Sequence, residues 1–421
     1  MVGTKQINPP KCRLCGEDLT HEVLNLGMSP PCELFLRADQ TDDMEPFYPL
    51  RLLVCGNCYL VQLREYVAPE DIFTDYAYFS SFADSWVEHA RKYCVAMAER
   101  WKLGKESKVI ELASNDGYLL QHFVKMGVPV LGIEPAANVA KFAVEKGVPT
   151  RVDFFGVRLA RQLVSEGVKA DLIAGNNVLA QVPDLNDFIG GMKILLKPDG
   201  VVTIEFPHLA KTIEGNQFDQ IYHEHFSYFS LLSAEKAFAR HGLTLFDVDE
   251  VPSHGGSIRI YMRHKENDKL AISAKVKEIR DYELAKGYDK VEFYDQFRAQ
   301  AEATKRKLLS FLIDAKNKGK KVVGYGAPGK GNTLLNYCGI RTDFIDFLVD
   351  RNIHKHGKFT PGTHIPILPP SAVDEAKPDY LFILPWNLKT EIMKQMKHVG
   401  AWGCKFVIPV PELTVIDPGS I

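Results

Sequence analysis

The chain reads as an α/β protein in three parts: a small cysteine-anchored N-terminal subdomain and two Rossmann-like α/β blocks joined by a helical connector. Three observations predict this. Two C-x-x-C pairs lie within the first sixty residues. Strand-like apolar runs alternate with helix-like segments over residues 108–263, and again from residue 320 onward. Between these blocks, residues 265–318 are charged, proline-free and helical in period. Strands alternating with helices imply a parallel sheet with crossover helices. A length of 421 residues accommodates two or three domains. The boundaries fall at 1–75, 76–264 and 265–421.

Composition narrows the function classes. Lys plus Arg number 51 and Asp plus Glu 53, a formal net charge of -2. A bulk electrostatic nucleic-acid binder shows a basic excess, so nucleic acid is not the expected partner. Hydrophobic residues at 46% and charged residues at 25% are ordinary globular values and exclude broad disorder. No apolar run approaches the ~20 residues of a membrane span. The start, M-V-G-T-K-Q-I-N-P-P-K-C, lacks the apolar centre of a signal peptide. A cytoplasmic protein with no membrane partner is expected.

The N-terminal subdomain follows from its cysteines. Of eight, Cys12, Cys15, Cys55 and Cys58 form the knuckles K-C-R-L-C-G and V-C-G-N-C-Y. Four thiolates so spaced suit one closed, tetrahedral structural zinc. Ordinary thiols or disulfides are the alternative, and disulfides are disfavoured without an export signal. The gap of 39 residues between Cys15 and Cys55 is wider than in a compact zinc ribbon and calls for a small subdomain between them. Cys32, Cys94, Cys338 and Cys404 read as buried small hydrophobes.

After an aromatic stretch, D-Y-A-Y-F-S-S-F, the run from Ser85 to Trp101 has helical spacing. K-V-I-E-L-A, P-V-L-G-I-E-P, D-L-I-A-G-N-N-V and G-V-V-T-I-E-F then read as the buried strands of the first block. K-K-V-V-G-Y-G, D-F-I-D-F-L-V-D-R-N and D-Y-L-F-I-L-P-W-N supply the second.

Two loops that follow strands compete for a nucleotide: E-L-A-S-N-D-G-Y (111–118) and G-Y-G-A-P-G-K-G-N-T (324–333). Either can aim backbone N–H groups at a ligand. After the first, the next strand ends in Glu134, 23 residues beyond Glu111, where a carboxylate can accept from both ribose hydroxyls. A pyrophosphate turn needs three glycines, whereas this loop has Ala113, Asn115 and Gly117. It suits a nucleoside without phosphates, S-adenosylmethionine, with Glu111 and Asp116 near the amino-acid end and the sulfonium. The candidate cofactor set is Glu111, Ala113, Ser114, Asn115, Asp116, Gly117, Tyr118, Glu134, Pro135 and Asn177. A purely structural strand-to-helix turn is the alternative.

Taken together, the four cysteines, E-L-A-S-N-D-G-Y, F-D-Q-I-Y-H-E-H-F-S-Y-F-S (218–230), H-G-G-S-I-R (254–259) and G-Y-G-A-P-G-K-G-N-T span nearly the whole chain. In that order the chain resembles the sugar C-methyltransferases that act on TDP-linked deoxyketosugars. The resemblance implies a structural zinc, a class I methyltransferase domain and a nucleotide-sugar domain. It also implies methylation at C3′ of a TDP-3-amino-4-keto-2,3,6-trideoxyhexose, a step in deoxysugar biosynthesis for an antibiotic. A monomer is expected.

Methylating a carbon beside a ketone needs a base, hydrogen-bond donors for the developing enolate and an in-line methyl. The densest cluster of suitable groups is Tyr222 to His225. His225 is the candidate base, since imidazole titrates near neutrality. The resemblance makes Tyr222 and Glu224 orienting groups and Tyr76 a wall of the site. A metal half-site or a polar surface strand, with His223 and His225 on one face, is the alternative for H-E-H. The family carries histidine where this chain has Gln181, and glutamine does not titrate in this range. Were that histidine the sole base, the chain would be nearly inactive; we favour an assisting role, with His225 retaining the reaction.

In the last block, Lys330 and Arg351 are candidates for the pyrophosphate, Trp386 for stacking on the thymine or walling the sugar, and Asn332 and Ser80 for further substrate contacts. A solvated charge or a core aromatic is the alternative for each. The Gly324 loop with Asp350 also admits a zinc-containing NAD-dependent oxidoreductase, although Lys-Gly-Asn-Thr replaces the small apolar residues of a dinucleotide helix. A nucleic-acid ribbon is disfavoured by the acidic residues of the zinc segment. Transfer to another carbon or oxygen of a nucleotide sugar is the nearest rival.

Overall fold

The computed structural model describes residues 9–68 and 79–421. They group into two compact units. The first comprises residues up to His21, Val54–Leu209 and His225–Phe293; the second comprises Glu22–Leu53, Ala210–Glu224 and Tyr294–Ile421.

The first unit is built on a seven-stranded sheet. Its strands are β1 (Val109–Leu112), β2 (Val130–Ile133), β3 (Thr150–Arg151), β4 (Ala170–Asn176), β5 (Leu196–Pro207), β6 (Leu243–Val251) and β7 (Ser257–His264). Their order is β3-β2-β1-β4-β5-β7-β6, with only β7 antiparallel to its neighbours. β1 is buried along its whole length, as a central parallel strand must be. The chain runs outward through β2 and β3, then returns to lay β4 on the other side of β1. Beyond the carboxyl ends of β1 and β4 lies the crevice where doubly wound sheets bind ligands.

Helix Asp84–Trp101 covers one face. It buries Ala90, Tyr93, Cys94 and Met97, an i, i+3, i+4, i+7 stripe, into a core that includes Leu119, Phe123 and Tyr261. Asp84 in its first turn and Arg100 in its last oppose the helix dipole. Lys102 ends it in the left-handed region.

The cysteine knuckles are tight turns of the same unit. Gly16, at φ 81°, closes the first with its N–H on Cys12 O; Tyr59, at φ 62°, closes the second with its N–H on Cys55 O. The second leads into strand Val61–Leu63, which pairs antiparallel with Ser227–Tyr228. The segment Glu22–Leu53, between the knuckles, groups with the second unit.

The second unit holds a six-stranded sheet of β8 (Val322–Tyr325), β9 (Leu348–Val349), β10 (Ile367–Leu368), β11 (Tyr380–Ile383), β12 (Lys405–Ile408) and β13 (Thr414–Ile416). The order β10-β9-β8-β11-β12-β13 is parallel except for β13. Its reversal of direction lies between β8 and β11. The charged connector is two helices, Ala274–Lys286 and Asp295–Asn317. Gly287, at φ 96°, caps the first. The unit boundary falls between them, so each helix serves its own unit.

Candidate functional site

At the crevice of the first sheet, three loops meet. Ser114 donates its N–H to Ile133 O, bringing the β1 loop against the end of β2. A side chain on Gly132 would stand 2.4 Å from Ser114 Oγ, so the approach requires glycine. Glu134, at the end of β2, is buried and accepts from Asn115 N (2.8 Å) and Ala136 N (2.9 Å). Its carboxylate therefore shapes the loop, and each oxygen keeps a second lone pair for a ligand.

Ala113, Asn115 and Asn177 all have left-handed backbones, with φ of 56°, 48° and 57°. Three strained non-glycine residues at one sheet edge mark a position that the surrounding structure over-determines. Gly117, at φ 76°, sits where a Cβ would meet Ala143 Cβ and Val148 Cγ2 at 3.1 Å.

The electrostatics of this edge fit a cationic nucleoside. Glu111 is fully buried, and burial, with Glu134 and Asp116 next, pushes its carboxyl well up, against an opposing hydrogen bond from Tyr118. Burial likewise raises Glu134. A positive ligand would lower the cost of three crowded carboxylates. Ser114 Oγ, Asp116 Oδ1 and Asn177 Oδ1 are buried without a hydrogen-bond partner among the described residues. Unmet buried polar atoms at a crevice are what a bound polar ligand satisfies. The residues therefore fit S-adenosylmethionine.

Asp116 Oδ2 is already engaged by Lys146 (3.1 Å) and by the Ser81 hydroxyl. Ser80 gives its N–H to Asn115 Oδ1 at 2.9 Å, so it belongs to the edge of this loop. Tyr118 turns into the core and stacks on Trp86 with ring centroids 6.0 Å apart. Pro135 is half-buried beside Glu134. Gln181 ends the short 3-10 turn Leu179–Gln181 after β4, half-buried, with its N–H on Val178 O. Tyr76 lies outside the described residues.

A buried network in this unit joins Arg259 of the H-G-G-S-I-R motif to residues far away in the chain. Glu205 on β5 lies directly opposite Arg259 on β7 and is fully buried. It accepts from Arg259 Nη2, bonds His89 Nε2 at 2.9 and 3.0 Å, and accepts from Ser253 Oγ at 2.7 Å. Burial opposes the charge, but His89 and Arg259 win and hold the carboxyl at about 2. The partners stand 116, 54 and 48 residues from Glu205, which no local periodicity reveals.

The four knuckle cysteines gather with all ligand atoms within 4.8 Å of one another. Cys12–Cys58 and Cys15–Cys55 sulfur separations are 3.5 Å, far beyond a disulfide bond. A tetrahedron with Zn–S of ~2.3 Å has S···S edges of ~3.8 Å, so the set fits one zinc ion. Gln62 Nε2 donates to Cys12 Sγ at 3.1 Å, an outer hydrogen bond of the kind that orients a ligand. Among the described residues no other group of three or more such side chains has this geometry. His223 and His225 do not share a strand face, because residues 223–224 form a turn. His223 packs edge-on to Tyr48, and His225 edge-on to Tyr228.

The boundary between units falls between Glu224 and His225. In the second unit Glu224 is buried, and burial with the charge of Glu33 pushes its carboxyl up to about 8, against the hydrogen bond from Cys32 and the charge of Lys355. Tyr222 is half-buried.

At the crevice of the second sheet, the Gly326–Gly331 loop follows β8 and Trp386 follows β11. A Cβ on Gly326 would lie 2.5 Å from Pro385, so the two loops require glycine to meet. Trp386 donates its indole N–H to Asp219 Oδ2 at 2.6 Å, and Lys330 Nζ lies 4.9 Å from its ring centroid. Burial raises Asp219 to about 6 against the charge of Lys330, and lowers Lys330 to about 8. Lys330 Nζ also bonds Asn387 Oδ1. Arg351 pairs with Glu391 at 3.5 Å. Asn332 is buried and ties its amide to Cys32 O at 2.6 Å. Asp350 accepts from the N–H groups of Ala327 and Asn352, one on each carboxylate oxygen.

Three family models match in succession: "Putative zinc binding domain" over residues 12–73, "Methyltransferase domain" over 86–248 and "C-methyltransferase C-terminal domain" over 252–411. The C-methyltransferase NovU of Streptomyces niveus is 35% identical over 410 residues, 97% of each chain. A ubiquinone biosynthesis O-methyltransferase of Bartonella bacilliformis is 30% identical over 101 residues, covering 23% of this chain and 40% of its own. A solved S-adenosylmethionine-dependent methyltransferase from Clostridium acetobutylicum covers 42% of this chain and 92% of its own, at 13% identity and a TM-score of 0.34, a likeness too slight to carry weight.

Proposed function

Because the chain belongs to the S-adenosylmethionine-dependent C-methyltransferases, we propose that it methylates C3′ of a TDP-3-amino-4-keto-2,3,6-trideoxyhexose. The family excludes the oxidoreductase reading of the Gly324 loop. Similarity to one C-methyltransferase over 97% of the chain carries the reaction class. The choice of substrate rests on the resemblance of the motifs at 218–230, 254–259 and 324–333 to those of TDP-sugar C-methyltransferases, and on the second Rossmann-like sheet, whose crevice offers a nucleotide a glycine loop, Lys330 and Trp386.

His225 takes the C3′ proton, leaving the electron pair as an enolate spread to the C4′ oxygen. Tyr222 and Glu224 orient or hydrogen-bond the sugar; a carboxyl near 8 keeps its proton at neutral pH and so can donate. Gln181 supports the reacting centre without titrating. S-adenosylmethionine, when bound, supplies the electrophilic methyl group and leaves as S-adenosylhomocysteine. Glu111, Glu134, Asp116, Ser114 and Asn177 hold it and exclude water from its edge.

Mass spectrometry tests this directly. A TDP-4-keto-3-amino-deoxyhexose incubated with methyl-labelled S-adenosylmethionine in deuterated water should gain one labelled methyl, placed at C3′ by fragmentation. A methyl on oxygen or another carbon would refute the assignment. His225→Asn should abolish most turnover while S-adenosylmethionine still binds; undiminished turnover would remove His225 as the base.

A further inference from the structure

Arg13 lies inside the first knuckle, between ligands Cys12 and Cys15, yet its side chain reaches away from the cysteines. Its Nη1 donates to Pro183 O at 3.0 Å, and its Nη2 to Leu63 O. Its guanidinium lies 5.3 Å from the ring centroid of Phe226. Pro183 stands two residues beyond Gln181, and Phe226 directly follows His225. Leu63 ends the strand that pairs with Ser227–Tyr228, and its N–H donates to Phe226 O at 3.0 Å. From the other side, Asn186 Nδ2 donates to the carbonyls of Arg13 and Leu14, at 3.1 and 3.2 Å. Arg13 N donates to Gln62 Oε1, and the same amide group reaches Cys12 Sγ. All of these residues belong to the first unit.

We propose that Arg13 is a positioning residue that couples the zinc knuckle to both the Gln181 turn and the His225 segment, so that the metal sets active-site geometry as well as folding the N-terminus. The physical basis is the planar guanidinium, which satisfies two carbonyls from different segments in one rigid plane while its face packs on an aromatic ring. Metal ligation fixes the backbone from which that plane projects. A displacement of about 1 Å in a reacting group can cost ~100-fold in rate.

The inference rests on the proposed roles of Gln181 and His225, so its test has an arm that does not depend on the reaction. Hydrogen exchange of the full-length zinc enzyme is followed before and after metal removal by a chelator. Removal should speed exchange at the Gln181 and Leu63 amides and across 227–228, while β1 and β4 in the central sheet stay protected. Exchange unchanged in those segments, or raised equally throughout the unit, would overturn the coupling.

Arg13→Ala should keep its zinc and its affinity for S-adenosylmethionine, show the same local exchange, and lose ~10- to 100-fold in kcat. Arg13→Lys should fall between, because an ammonium cannot present both parallel donors. Wild-type kcat and exchange in Arg13→Ala would also overturn it. Should His225→Asn prove fully active, the reading of the chemistry fails while the exchange result stands on its own.

Discussion

Replacing Glu205 by Gln isolates the buried network of the first unit. The carboxylate is fully buried and bonds Arg259, His89 and Ser253. The substitution keeps the shape, removes the charge and leaves the nearly buried Arg259 guanidinium facing an amide. Breaking a buried pair from one side costs about 3–5 kcal/mol. A second route to the magnitude is the carboxyl's fall from the ordinary 4.5 to about 2. At ~1.4 kcal/mol per pH unit that fall is worth roughly 3 kcal/mol, and the two routes agree. The sign follows from the depressed folded value. The stabilisation is complete above about 4.5 and is lost as pH drops toward 2. The assay is urea unfolding of wild type and Glu205→Gln at pH 7, 5, 4 and 3; acid release of zinc is common to both proteins and cancels in their difference. The gap should be about 3 kcal/mol at pH 7 and pH 5 and should narrow below that. A gap under 1 kcal/mol at neutral pH, or one that widens in acid, would refute the reasoning.

Gly117→Ala combines a left-handed backbone with Cβ contacts at 3.1 Å. It should cost about 2–4 kcal/mol of stability and weaken S-adenosylmethionine binding by calorimetry at least tenfold; unchanged affinity would clear the loop of that role. Lys330→Met should raise KM for the nucleotide sugar roughly tenfold, with S-adenosylmethionine affinity intact, since a hydrogen bond to a charged group is worth ~1.5–3 kcal/mol; an unaltered KM would leave Lys330 as a partner of Trp386 and Asp219 alone. Gln181→His should raise turnover if the position assists the base, and an unaltered rate would make it passive. Among the described residues no helix is long and apolar enough to cross a membrane.

Wherever the signal was local, the sequence alone was sufficient. The two C-x-x-C pairs predicted a metal set that the fold brings within 4.8 Å. The four apolar runs of the first block became β1, β2, β4 and β5, because a strand buried on both faces reads as a nearly continuous apolar run, interrupted here by the buried Glu111 and Glu205. The loop E-L-A-S-N-D-G-Y and Glu134 converge because each ends a neighbouring strand. Tertiary structure decided whatever depended on partners distant in the chain. Glu22–Leu53 leaves the knuckles for the second unit, though it lies between their cysteines. β7 enters antiparallel and so sets Arg259 opposite Glu205. Arg13 reaches Pro183 across 170 residues. Periodicity reports which face of an element is buried, but not which element buries it. Charged side chains carry no periodic signature, and the desolvation that makes them matter exists only once the chain has closed around them.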